Sequence, residues 1–287
     1  MSTLMIGATG TVGREVVRQL HAQGAEVQVM TRDPDKAKHL PDGVGAALGD
    51  LAEPRTLPPA FRGMSKLFML TPLVQKETEM GLAGVAAAKR AGVERIVYIT
   101  VHKLEEGAHI PHFASKIPIV RAIEDSGIPY TLIEPNNFFQ NDLRYQRHIT
   151  ELGTYPLPIG SVGVSRVDVR DIADAVVHAL TRPGHEGRTY PLVGPEALTG
   201  ERVAEIWSRE LNRRVSYVGD DLDAWEEGAR SRLPGWLAED LRIMYAFFLE
   251  SGLRARDDDL SRCQLILGHP PRRFEDFARE TARAWMA

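Results

Sequence analysis

Seven residues near the start of the chain, Gly7-Ala8-Thr9-Gly10-Thr11-Val12-Gly13, restrict the fold more than any other stretch. They follow the apolar run Leu4-Met5-Ile6 and open a segment in which Val12, Val16 and Leu20 recur at four-residue intervals, with Val17 beside them and Arg14, Glu15, Arg18 and Gln19 on other faces. A short buried strand, a glycine turn and an amphipathic helix form the phosphate-binding start of a βαβ unit. Gly7 lets the chain turn sharply out of the strand. Gly10 lacks the Cβ that would keep a pyrophosphate from the backbone, and Gly13 lets the helix pack closely on the sheet. The free amides of the first helical turn, with the helix dipole behind them, favour the charge of the phosphates. The spacing is Gly-x-x-Gly-x-x-Gly, not Gly-x-Gly-x-x-Gly, so the strand before and the helix after carry the assignment.

The rest of the chain repeats the alternation of strand and helix. Glu26 to Thr31 alternates as a strand and ends at Arg32-Asp33-Pro34-Asp35-Lys36. The tip of the second strand is where such folds read the adenosine ribose: an acid there suits the 2′-hydroxyl of NAD, a cation the 2′-phosphate of NADP. Asp33 before a proline has a structural explanation as a turn or cap residue. Arg32, with Lys36 as a second cation, therefore favours NADP(H), with NAD(H) as the alternative. Val44 to Leu48 reads as a third strand ending in Gly49-Asp50-Leu51, where Asp50 also suits a helix cap. Leu67 to Leu70 is a continuous apolar run and hence a buried central strand. It delivers Thr71 and Pro72 to the nicotinamide-side ribose. A helix from about Lys76 to Ala91 is rich in small residues, which suits close packing on a sheet and equally a helix–helix dimer contact. Arg95 to Thr100 is a fifth strand, and Pro129 to Ile133 a sixth.

The 287 residues are 43% hydrophobic and 26% charged, enough for one large α/β domain or a domain with a small lobe. A net charge of −4 gives no basic footprint for nucleic acid. The single cysteine, Cys263, excludes an intrachain disulfide and a cysteine metal cluster, and no metal is expected. No apolar run is long enough to span a bilayer. The chain enters its first strand at once, without a basic region or cleavage site, and a cytoplasmic protein is expected.

The glycine stretch from Gly7 to Gly13 resembles the opening of the extended and atypical short-chain dehydrogenase/reductases. The run Ser126-Gly127-Ile128-Pro129-Tyr130-Thr131-Leu132-Ile133-Glu134-Pro135-Asn136-Asn137-Phe138-Phe139-Gln140-Asn141 narrows the resemblance to the NmrA-like group. Val167 to Val176 and Leu267 to Phe274 are similar to the same group, so the likeness covers essentially the whole chain. That family usually has arginine before the proline; here Glu134 stands there.

The alternating strand–helix order gives a doubly wound parallel sheet in a Rossmann domain formed by residues 1–135 and 162–195, with a smaller, mainly helical lobe formed by 136–161 and 196–287, which agrees with the resemblance. The resemblance places the Gly49-Asp50 pair, with Leu51, beside the adenine, and Pro135, Asn136 and Phe138 over the nicotinamide. Gly7, Thr9, Gly10, Thr11, Val12 and Gly13 would hold the pyrophosphate, with Leu70, Thr71 and Pro72 beyond them. Short-chain dehydrogenases follow the fifth strand with Ser or Thr and then a Tyr-x-x-x-Lys pair, in which the lysine lowers the tyrosine pKa and binds the ribose. Here Thr100 takes the first position and Lys116 the last, but His112 stands where the tyrosine would be. Histidine can donate a proton near neutral pH. Pro118 favours a first helical turn, which starts the continuous helix near Ile117 and takes His112 and Lys116 off a common face. Lys116 is read as the cofactor residue and His112 as a candidate acid.

Two functions follow. In the first the chain is an NADPH-dependent oxidoreductase passing hydride to a small conjugated acceptor such as a quinone, which needs orientation more than a strong acid. In the second it is a redox-sensing regulator that binds the dinucleotide without turnover and acts through a protein partner. The expected partners are a small-molecule substrate and, as possibilities, a second copy or a regulatory protein, with no membrane and no direct nucleic-acid contact.

Overall fold

The computed structural model describes residues 2–33, 35 and 40–286. It consists of two compact units, Met1–Glu105 with His112–Glu134 and Val169–Tyr190, and Glu106–Pro111 with Pro135–Asp168 and Pro191–Ala287. The first unit begins with β1 (Thr3–Ile6), α1 (Thr11–Ala22), β2 (Val27–Thr31), β3 (Gly45–Leu48), α2 (Leu57–Phe61) and β4 (Lys66–Met69). α3 (Glu77–Ala91), β5 (Arg95–Ile99), the single turn α4 (Pro111–Ala114), α5 (Ile117–Glu124), β6 (Tyr130–Pro135), α6 (Val169–Thr181) and β8 (Arg188–Leu192) follow. The seven strands lie in the order β3-β2-β1-β4-β5-β6-β8, and β1 pairs in parallel with both β2 and β4.

From β1 the chain first winds outward through β2 and β3, then returns to β4 and winds the other way. The order therefore reverses between β1 and β4, and the carboxyl ends of these two strands flank the crevice where doubly wound sheets bind ligands. Buried on both faces, the central strands are uniformly apolar: Leu4, Met5, Leu67, Phe68, Met69, Ile96 and Val97 have no exposed surface. Val12, Val16, Val17 and Leu20 form the buried stripe of α1, which packs on α6. On α3 close packing accounts for two of the small residues: a Cβ on Gly81 would sit 2.3 Å from the Ile119 side chain, and one on Gly84 2.9 Å from the sulfur of Met69. Among the described residues no helix is long and apolar enough to cross a membrane.

The second unit holds a two-stranded parallel ribbon, β7 (Thr154–Tyr155) with β9 (Ser216–Tyr217), and the helices α7 (Gly200–Glu210), α8 (Leu222–Arg230), α9 (Gly235–Ser251), α10 (Asp259–Leu267) and α11 (Phe274–Met286). Trp207, Phe139 and Phe274 fill its core. Of the aromatic and methionine bulk on α8 and α9, Met244, Tyr245 and Phe248 are buried, while Trp225, Trp236 and Phe247 are half-exposed.

Candidate functional site

The glycine turn between β1 and α1 separates what the fold needs from what a ligand needs. Gly7 has φ +83°, and a Cβ there would lie 2.5 Å from the carbonyl oxygen of Leu70. A Cβ on Gly13 would lie 2.2 Å from the Gly7 oxygen. Both positions are glycine because the backbone leaves no room. Gly10 is different. Its φ of −79° and ψ of 175° are open to any residue, and a Cβ would meet nothing closer than the Gly7 oxygen, at 3.5 Å. No contact among the described residues demands glycine there. The exposed Gly10 is also the N-cap of α1, so no capping side chain covers the first amides of the helix. A bare backbone edge at a helix N-terminus is the cradle a pyrophosphate requires. Thr9 and Thr11 flank it on the surface, whereas Val12 belongs to the buried stripe.

At the tip of β2, Asp33 is spent on its own turn. Its backbone amide donates to Thr31 Oγ1 at 3.1 Å, and its Oδ1 accepts from the Asp35 amide at 3.0 Å. Arg32 is exposed, and no carboxylate among the described residues pairs with it. Lys36 lies outside the described residues. After β3, Asp50 Oδ1 accepts from the Ala52 amide at 2.9 Å and its own amide donates to Thr56 Oγ1 at 2.9 Å, so Asp50 builds a turn; Leu51 is core.

The ends of β4 and β5 carry a buried polar cluster. Thr71 and Thr100 are buried, and Pro72 is exposed. Thr71 Oγ1 donates to Glu77 Oε1 at 2.5 Å. Lys116 Nζ donates to the same oxygen and forms an ion pair with it. Ser115 Oγ donates to Glu77 Oε2 at 2.7 Å. Glu77 was not singled out in the sequence, where it reads as one of several charges around Lys76 and Glu79. The helical spacing does distinguish it: Met80, Gly81 and Gly84, at three, four and seven residues beyond it, are all buried, so Glu77 shares their face.

His112 and Lys116 are not on one helix. α4 stops at Ala114, and α5 starts at Ile117 with Pro118 in its first turn and Lys116 as N-cap. Ser115 Oγ lies 3.0 Å from the His112 carbonyl but gives its one proton to the nearer Glu77 Oε2, and the His112 ring meets Phe113 edge-on at 4.9 Å.

In the second unit Asn136 is buried, donates from Nδ2 to the Leu253 carbonyl at 2.8 Å and accepts the Asn137 amide on Oδ1 at 2.7 Å. Phe138 is half-buried; its neighbour Phe139 lies 5.1 Å from Phe274 in the core. Arg166 and Asp142, which the sequence did not mark, form a fully buried pair at 2.7 Å. Tyr155 and Trp207 also donate to Asp142, at 3.1 and 3.0 Å.

The chain matches the NmrA-like family over residues 2–262. It is 37% identical to the NAD(P)H azoreductase of Xenophilus azovorans over 286 residues, 99% of each chain. It is 32% identical over 288 residues to the (4-alkanoyl-5-oxo-2,5-dihydrofuran-3-yl)methyl phosphate reductase of Streptomyces griseus, again over 98% of each chain. The crystal structure of Citrobacter sp. triphenylmethane reductase complexed with NADP(H) matches it with a TM-score of 0.87 at 26% identity, covering 98% of this chain and 100% of that one. A glycine turn at the switch point of a doubly wound sheet, and likeness over nearly its full length, make this chain a member of the NmrA-like family.

Proposed function

We propose that the chain is an NADPH-dependent reductase acting on a small, flat, conjugated acceptor of the quinone or azo type. The observation that carries the reading is Gly10, a glycine the fold does not require, at an open helix N-terminus between the two central strands. The names of the full-length relatives, an azoreductase and a second reductase, support it. When bound, the reduced dinucleotide supplies a hydride. The turn from Gly7 to Gly13 holds the pyrophosphate, Arg32 the 2′-phosphate, and Lys116 the ribose hydroxyls. Acceptors whose product oxygens or nitrogens can take protons from water need no dedicated acid, which suits a chain without the tyrosine.

The test is NADPH oxidation, followed by absorbance, against a panel of quinones, azo dyes, triphenylmethane dyes and imines. Turnover of at least one supports the reading. Tight NADPH binding with no turnover across the panel would favour a redox sensor instead, and a protein partner would then be sought by pull-down.

Cofactor choice gives a sharper expectation. Arg32→Ala removes a charge-assisted contact worth about 1.5–3 kcal/mol, so NADPH should bind about tenfold to a hundredfold more weakly in an equilibrium titration. NADH affinity should stay nearly unchanged. A wild type that prefers NADH would reverse the assignment to Asp33, against the hydrogen bond that holds its carboxylate in the turn.

His112 is not expected to be an essential acid, because the break between α4 and α5 separates it from Lys116. His112→Ala should change kcat with a quinone by a few-fold. Loss of a general acid would instead cost roughly a hundredfold or more, with one limb of the pH profile gone; that outcome would assign the proton to His112.

A further inference from the structure

Glu77 has no exposed surface, yet no motif accounts for it. Its carboxylate takes three side-chain donors from two places in the unit: Thr71 after β4, and Ser115 and Lys116 at the entrance of α5. Thr78 Oγ1 adds a hydrogen bond of 2.7 Å to the Ser115 carbonyl, tying the same entrance to α3. Thr71 Oγ1 lies 3.3 Å from the Tyr98 hydroxyl. Because the single Thr71 proton goes to Glu77, Tyr98 is the donor in that contact. Burial holds the Tyr98 hydroxyl above its ordinary pKa and keeps it protonated for the purpose. The donors thus run in one direction, from β5 through Thr71, and converge on Glu77.

The cluster adjoins the glycine turn. Thr71 follows Leu70, whose amide donates to Ile6 at 3.1 Å and whose carbonyl oxygen fills the space a Cβ on Gly7 would need. Lys116 stands at the helix entrance, so no helical register fixes its four-carbon stem. Left to itself such a side chain gives up much rotamer freedom when held. An ammonium has three protons, and among the described residues Glu77 is the one acceptor of Lys116. The remaining donors sit on a side chain that is 11% exposed. A buried ion pair is a poor stabilising device, since apolar residues of similar volume serve as well or better.

We propose that Glu77 is the positioning residue of this site: it holds the Lys116 ammonium in place for the bound dinucleotide, so that the lysine keeps its position without the tyrosine that would normally stand one helical turn before it. The proposal rests on the reading of Lys116 as a cofactor residue. Ser115 and Thr71 are its supports, since each spends its hydroxyl proton on the Glu77 carboxylate.

The test is a double-mutant cycle on NADPH affinity in the full chain, measured by titration of dinucleotide fluorescence, with thermal unfolding recorded for every variant. Lys116→Met should weaken NADPH by about tenfold, and Glu77→Gln, which keeps the side chain's size, by a similar factor. The combination should be no weaker than Lys116→Met alone, because Glu77 acts only through Lys116. A purely structural Glu77 would lower the unfolding temperature and leave the two losses of affinity multiplicative, which overturns the proposal. So does a folded Glu77→Gln with wild-type affinity while Lys116→Met is weak. Wild-type affinity in Lys116→Met removes the underlying reading of Lys116 and is a separate result. Should Glu77→Gln fail to fold, Ser115→Ala withdraws one support without changing charge. It should weaken NADPH by about three- to fivefold, and an unchanged affinity counts against the proposal.

Discussion

Asp142→Ala is expected to destabilise the second unit by about 3–5 kcal/mol, the cost of leaving a buried charge without its partner. Arg166 and Asp142 are both completely buried. Arg166 also donates to the Asn137 side chain at 3.0 Å and to the Phe138 carbonyl at 2.7 Å, and its guanidinium lies over the Phe274 ring at 5.3 Å. Burial is the largest influence on that guanidinium and opposes its charge, and the Asp142 carboxylate with Tyr155 and Tyr245 together leave the Arg166 pKa above its ordinary value. Deleting the carboxylate strands more than the arginine: the hydroxyl of Tyr155 and the indole N–H of Trp207 each lose an acceptor in a dry interior. The measurement is denaturant unfolding of Asp142→Ala against wild type. Asp142→Leu combined with Arg166→Met removes both charges and should recover the share of the loss due to the unpaired arginine, while Tyr155 and Trp207 still lack their acceptor. A loss below about 1 kcal/mol in the single variant would mean that water reaches the pair.

That network also marks where the sequence stops being legible. The glycine turn, the apolar strands and the helix stripes could be read because each is a local pattern: a period of two or of 3.6, or a glycine beside a strand end. The parallel sheet follows from the alternation of such segments, the reversal between β1 and β4 is seen in its strand order, and the full-length resemblance named the family. Arg166 and Asp142 are 24 residues apart, and each stands among other polar residues. Only the fold brings them together, so nothing local distinguishes them from solvated charges. Glu77 lies between the two cases, since the spacing to Met80, Gly81 and Gly84 put it on a buried face. Its partners Ser115 and Lys116 could not be read the same way, because the break between α4 and α5 removes the register that would have linked them. At the tip of β2 the sequence left Arg32 and Asp33 as rivals. The 3.0 Å bond from the Asp35 amide gives one Asp33 oxygen a place in the local turn, and this is the observation behind the proposal that Arg32 reads the ribose phosphate.

The glycine turn should respond differently at two positions that look alike in the sequence. Gly13→Ala places a Cβ 2.2 Å from the Gly7 oxygen and 2.6 Å from the Ala8 Cα. Both obstacles are backbone, so no rotamer change relieves them, and the turn or the helix must move. Overpacking of this kind costs about 3 kcal/mol, and the variant should lose stability and NADPH binding together. Gly10→Val should keep the fold. The position is extended and exposed, with ordinary room for a Cβ, and stability should stay within about 1 kcal/mol of wild type, the poorer valine N-cap included. Its branched side chain stands over the amides at the start of α1, however, and should weaken NADPH at least about tenfold, or about 1.4 kcal/mol. Thermal unfolding and NADPH titration of the two variants separate the effects: Gly13→Ala fails in both measurements, Gly10→Val in the second alone. Wild-type NADPH affinity in a folded Gly10→Val would show that the phosphates do not approach this edge, and the assignment of the turn as their cradle would fall with it.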